Sequence, residues 1–193
     1  MENKFIDYFS RISPLSKEEA EGIAESMQTK KFKKGDFLIK EGQFSTKTYF
    51  ILEGCVREYI LTEGEEKTTN FLTEEQWAIS LNSFTPQNTA KHNWICVEDT
   101  LVVEGDEQQG QALFKRFPRF ETISRTIMEA AFAEQREALT SYYTDSPEQR
   151  YLKLMKSRPG LFQRIPQYHL ASYIGVKPES LSRIRKRLAS DKD

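Results

Sequence analysis

Cysteine and histidine are nearly absent from this chain: two of each occur in 193 residues. Cys55 and Cys96 lie in separate apolar, strand-like runs. They are too few for a disulfide framework and lack the spacing of a zinc or iron–sulfur site, so no metal ligand and no cofactor is assigned. A reducing, cytoplasmic compartment is the expectation. With only His92 and His169, acid–base chemistry has few candidates. No paired carboxylates, Ser–His–Asp set, P-loop or glycine-rich dinucleotide signature emerges from the spacing. No catalytic residue is assigned, and an enzyme is not expected. Long apolar runs are missing too. The N-terminal MENKFIDYFSRI is charged and amphipathic, so neither a signal peptide nor a membrane span is expected.

What the chain does have is an uneven charge. Residues 1–146 carry 17 Lys and Arg against 25 Asp and Glu, whereas residues 147–193 carry 11 against 4. A basic tail on an acidic body is an electrostatic footprint for double-stranded DNA. Within that tail, QYHLASYIGVKPESLSRIRKRL (167–188) holds two helical periodicities broken at Gly175, where a positive φ lets the chain leave a helix. Proline then opens the second segment at no cost. Ala171, four residues before the glycine, lets two short helices cross closely. This is the layout of a helix-turn-helix whose second helix enters the major groove. Its outward positions are Lys177, Glu179, Ser180, Ser182, Arg183, Arg185, Lys186 and Arg187, and His169 on the first helix is a further phosphate candidate. A solvated helical hairpin with a basic face is the blander reading.

Upstream, Phe5, Ile6, Phe9 and Ile12 mark a short helix, and Ser16 with Glu19 reads as a capping box opening a second. From about Gln28 the apolar period changes to two, with turns at Gly35–Asp36, Glu41–Gly42, Glu53–Gly54 and Glu63–Gly64. Many short strands with regular turns predict an antiparallel, jelly-roll-like β-roll. After Asp106 come a short helix over 108–116 and a long one from Pro118 to about Tyr143. The long helix carries a narrow stripe at Ile123, Ile127, Ala130, Ala131, Glu134 and Ala138. Such a stripe suits a two-helix seam between copies of the chain, or a cover for the chain's own β-domain. The symmetry of DNA readers favours the homodimer. Thr144–Pro147 is a hinge, with Ser146 as the N-cap of the next helix. The expected architecture is α+β: a β-roll domain over 1–116, a dimerisation helix and hinge over 117–145, and a helix-turn-helix domain over 146–193.

KKGDFLIKEG (33–42), YFILEGCVREY (49–59) and IGVKPESLSRIRKRL (174–188), in that order around one long helix, resemble the Crp/Fnr family of bacterial transcription regulators. The resemblance covers essentially the whole chain. It implies a cyclic-nucleotide-binding-like β-roll as sensor, a homodimer, double-stranded DNA and RNA polymerase as partners, and no membrane. The family's recognition helix offers an Arg-Glu pair and a second Arg one turn on, which fall at Pro178, Glu179 and Arg183. Glu179 can accept from a cytosine amino group and Arg183 can bind guanine bidentately, while Pro178 replaces one arginine. Glu179 also suits a carboxylate at a helix N-terminus. The family's cyclic-nucleotide grip, a Glu and an Arg-Ser pair, falls at Ser80 and at Thr89-Ala90, leaving Lys91 and His92 as the nearby cations. The candidate effector pocket is therefore Trp77, Ser80, Leu81, Thr89, Ala90 and Lys91, for an unidentified small molecule and not for cyclic AMP in the family's manner. Haem on His92 is the minority reading, a surface histidine the simpler one. Trp77 and Trp94 are most simply core or rim aromatics. The short run after Leu188 implies a short or absent β-wing. The alternative function is a ligand-binding or protein-interaction module of the same fold that does not read DNA.

Overall fold

A computed structural model of the chain describes residues 2–26, 28–79 and 89–190, with side chains described from residue 4. Two helices lead: α1 (Glu2–Ile12) and α2 (Lys17–Ser26). The Ser16 Oγ accepts from the Glu19 N–H at 3.2 Å, and the Glu19 carboxylate accepts from the Ser16 N–H at 2.7 Å, the reciprocal cap that the S-x-x-E spacing predicts. Eight strands follow among the described residues: β1 (Gln28–Phe32), β2 (Phe37–Ile39), β3 (Lys47–Glu53), β4 (Val56–Thr62), β5 (Glu65–Leu72), β6 (Trp77–Ile79), β7 (Asn93–Cys96) and β8 (Thr100–Asp106). They form two four-stranded antiparallel sheets in the orders β1-β8-β3-β6 and β2-β7-β4-β5. Consecutive strands mostly fall in different sheets, which is how a jelly roll closes over one interior.

The turn glycines are where the alternation breaks. Gly54 has φ +104, and a Cβ there would meet the Thr100 Cα at 2.7 Å, so the β3–β4 corner admits no side chain.

Strand alternation sorts the apolar residues into two cores. Between the sheets lie Ile39, Tyr49, Ile51, Val56, Trp94 and Val102. On the outer face of the first sheet, Phe50, Leu52, Leu101 and Val103 pack against α1, α2 and the helices that follow. Those are α3 (Glu107–Arg116) and the 26-residue α4 (Arg119–Thr144). Burial pushes the Cys55 thiol up to about 12 and the Cys96 thiol up to about 11, and both cysteines are free. They behave as small core hydrophobes.

The C-terminal helices are α5 (Pro147–Ser157), α6 (Leu161–Arg164), α7 (Gln167–Ile174) and α8 (Pro178–Ser190). Ser146 and Gln149 form the capping box that opens α5. The third core is theirs, built from Tyr151, Leu154, Leu161, Leu170, Ile174 and Leu181, but it also takes in Cys55 and Phe71 of the β-barrel. The basic tail domain is thus docked on the outer face of the second sheet.

Candidate nucleic-acid interface

Gly175, at φ +81, ends α7 in a left-handed cap. The Val176 N–H donates to the Ala171 carbonyl at 2.9 Å and the Gly175 N–H to the Ser172 carbonyl at 3.1 Å, a Schellman motif. Ala171 is fully buried where α7 and α8 cross, between Leu170, Ile174, Leu181 and Ile184. A Cβ on Gly175 would lie 3.0 Å from the Tyr142 ring, because the end of α4 packs over this turn. Arg150 ties the same corner: its Nε donates to the Ile174 carbonyl at 2.8 Å, and its Nη1 to the carbonyls of Asp145 at 2.6 Å and Tyr142 at 3.1 Å. The hinge read at Thr144–Pro147 is therefore pinned by one guanidinium. The Lys153 ammonium and the Ser141 hydroxyl hold the Asp145 carboxyl below the usual carboxylate range.

With Leu181 and Ile184 buried, α8 turns Lys177, Glu179, Ser182, Arg183, Arg185, Lys186 and Arg187 outward. Ser180 is half-buried. Five cations and one carboxylate on a free helix face can meet phosphates and base edges together. Arg187 is the exception, since it is ion-paired to Glu148 of α5. At the start of α8, Lys177 lies close enough to help hold the Glu65 carboxyl low, though Lys67 is the larger cause.

His169 is placed elsewhere than the basic surface. Its Nε2 sits 3.2 Å from the Nη1 of Arg57, a β4 residue only 3% exposed. Around it, Arg57 Nε donates to Thr68 Oγ1 at 2.9 Å and Nη2 to Glu66 at 2.5 Å, while the Thr68 N–H donates to Ser172 Oγ at 2.9 Å. Phe71 meets Tyr173 edge-on at 5.4 Å. The assignment of His169 to DNA is corrected on this point: the face of α7 that carries it is spent on β5. Burial, then the Arg57 cation, lowers its pKa to about 4. Further along, Arg158 donates to the Phe71 carbonyl at 2.7 Å, and Arg164 pairs with Glu74 at 2.8 Å and Glu98 at 2.5 Å.

The stripe assigned to dimerisation divides. Ile123 and Ile127 are buried in the chain's own core beside Phe5 and Phe9, and the Gln76 amide donates to Glu134 at 3.3 Å. The two isoleucines face inward, because the start of α4 serves as a cover for the first sheet, whereas Glu134 is exposed. Ala131 is half-buried, and Ala130 and Ala138 are exposed. The exposed apolar residues lie on the opposite side: Phe132 at 65%, Leu139 at 57% and Tyr143 at 79%. Their seven- and four-residue steps were the signal to find them.

Of the effector-pocket residues, Ser80 and Leu81 lie outside the described residues. Trp77 follows its core-aromatic reading and not the pocket one: it packs in the cluster on the outer face of the first sheet, with ring centroids 5.2 Å from Phe50 and 5.7 Å from Phe5. Ala90 is buried between the sheets, and its N–H and carbonyl pair with Gln43 and Gly42, which joins the 41–43 turn to this segment. Thr89 and Lys91 are exposed. His92, expected at the surface, is half-buried and stacks on Trp94 at 4.8 Å. The Trp94 indole N–H donates to Glu58 at 2.8 Å, and Glu58 also accepts from the Thr69 hydroxyl at 2.6 Å. No group of residues suited to a metal ion occurs among the described residues, nor any helix long and apolar enough to cross a membrane.

Residues 29–117 match the cyclic nucleotide-binding domain family. No curated protein sequence matches the chain. Among solved structures, the c-di-GMP responsive global regulator CLP of Xanthomonas campestris superposes with a TM-score of 0.71 at 14% identity, over 92% of this chain and 93% of that one. A crp/fnr-family transcriptional regulator of Eubacterium rectale gives 0.71 at 16%, over 96% and 88%. The catabolite activator protein of Thermus thermophilus gives 0.56 at 19%, over 96% and 88%. Residues 29–117 thus match the cyclic nucleotide-binding domain family, and the chain as a whole has the fold seen in these Crp/Fnr regulators.

Proposed function

We propose that the chain is a homodimeric, sequence-specific DNA-binding transcription regulator with α8 as its recognition helix. The observation that carries this reading is the free face of α8, on which Glu179, Ser182, Arg183, Arg185 and Lys186 stand exposed around a buried Leu181–Ile184 edge. Glu179 and Arg183 read bases, one from cytosine and one from guanine; Lys177, Arg185 and Lys186 hold phosphates. Pro178 offers no donor, so one base pair of each half-site goes unread by that position. The exposed Phe132–Leu139–Tyr143 side of α4 supplies the seam between two copies, which sets half-sites about one helical turn (~34 Å) apart. RNA polymerase is the expected protein partner of the DNA-bound dimer. Gel shift on the chain's own promoter fragments tests the reading: Arg183→Ala is expected to bind about 10- to 100-fold more weakly than the wild type. Equal binding by both, or by neither, would overturn it.

The β-roll senses something other than cyclic AMP held in the family's manner. Thr89 and Ala90 stand where a phosphate grip needs a guanidinium, and the Glu58 carboxylate shares the Trp94 side of the second sheet. A carboxylate there opposes an anionic phosphate. Isothermal titration with cyclic AMP is expected to give no binding in the micromolar range; one molecule per chain at micromolar affinity would contradict the assignment.

A further inference from the structure

The contact between α7 and the β4–β5 hairpin is used by neither the DNA face nor the barrel interior, yet it packs a buried arginine, a histidine and two hydroxyl side chains between the two halves of the chain. Arginine has donors and no acceptor. The Arg57 Nη1 at 3.2 Å from His169 Nε2 must therefore donate to a lone pair, which fixes His169 as the neutral ring with its proton on Nδ1. Arg57 is buried and also donates from Nε to Thr68 and from Nη2 to Glu66, so it cannot swing into water without giving up the cluster. Protonating Nε2 would remove the only bond between this arginine and α7 and set two cations against each other. The remaining link at this point is Ser172, whose Oγ accepts from the Thr68 N–H at 2.9 Å and donates to the Glu66 carbonyl at 3.3 Å.

We propose that Arg57, Glu66, Thr68, His169 and Ser172 form a proton-operated latch that fastens the helix-turn-helix domain to the barrel and loosens it in acid. The charged groups that face His169 are Arg57 from β4 and Glu66 from β5; the Tyr59 ring lies under the Arg57 guanidinium at 4.4 Å, and Tyr168 stacks on the imidazole at 4.1 Å from its own helix. Glu66 is half exposed and already engaged with Arg57, so it cannot compensate a second cation fully. The sign follows from the geometry. A docked ring that binds its proton more weakly than a free ring makes docking strongest above the ordinary histidine pKa of 6.5, weaker as pH falls below it, and level again near 4.

The amide of Thr68 reports the latch directly, because it donates across the junction to Ser172. Its hydrogen exchange in the full-length chain, divided by the intrinsic rate, is expected to rise about tenfold between about pH 7.5 and about pH 5, a figure reduced for the water that screens this partly exposed ring. The amide of Val102 in the barrel core is the control and is expected to hold its protection. In His169→Gln, whose side-chain carbonyl can still accept from Arg57 but does not titrate, the acid-dependent rise is expected to vanish. In His169→Lys, Thr68 is expected to exchange rapidly at both pH values. No rise in the wild type, the same rise in His169→Gln, an equal rise at Val102, or a Thr68 still protected in His169→Lys would each overturn the proposal. If His169→Lys does not fold, the comparison of wild type with His169→Gln decides alone. None of these readouts involves DNA, so failure of the latch and failure of the recognition-helix reading are separate results.

Discussion

The two helices of the helix-turn-helix are put to opposite uses. α8 buries Leu181 and Ile184 and leaves its charges in water, whereas α7 commits His169, Ser172 and Tyr173 to the barrel. Residues of similar polarity on adjacent helices thus end in different surroundings, one set in water and the other against the barrel. The difference teaches that charge alone does not mark a candidate nucleic-acid face: what matters is which polar groups the fold has already satisfied. α4 repeats the lesson along its length, covering the first sheet with Ile123 and Ile127 and presenting Phe132, Leu139 and Tyr143 on the other side.

Three perturbations break or sharpen this contrast. Phe71→Ala strikes the barrel side of the α7 junction. Phe71 is fully buried against Tyr173, and its loss is expected to destabilise the chain by about 3–5 kcal/mol in denaturant titration, with no change in which bases α8 prefers. Phe132→Glu strikes the exposed side of α4. The residue is 65% exposed in the single chain, so the variant is expected to fold, to lose any dependence of the thermal midpoint on protein concentration, to sediment toward the monomer and to bind paired half-sites more weakly. Lys177→Gln strikes only a charge at the start of α8. It is expected to weaken binding to all sequences alike and to reduce the slope of log affinity against log salt by about 0.9.

The secondary structure and the helix-turn-helix could be read from the sequence because each rests on a local rule. Ser16 and Ser146 cap, Gly54 and Gly175 take positive φ, and apolar periods change from two to about three and a half at the domain borders. The outward face of α8 could be read for the same reason, once Leu181 and Ile184 were taken as its buried edge. The junction could not. Arg57 sits in an apolar strand run where a charge suggests a solvent position, and only the docking of α7 explains its burial. The DNA role given to His169 and the pocket place given to Trp77 go astray on the same gap: periodicity says which residues share a face, not which neighbour covers it. In α4 the stripe is split by the end of the first sheet: Ile123 and Ile127 are buried in the chain's own core, while Ala130, Glu134 and Ala138 beyond it are exposed.

The central claim is that α8 reads base sequence while α7 holds the domain to its sensor. The most direct measurement is selection from a randomised duplex pool by the wild type and by Arg183→Ala in parallel. The account predicts that the wild type enriches an inverted repeat with half-sites about one helical turn apart, and that the variant loses preference at the same base pair of each half-site. An unenriched pool, or an identical repeat from both proteins, would contradict it.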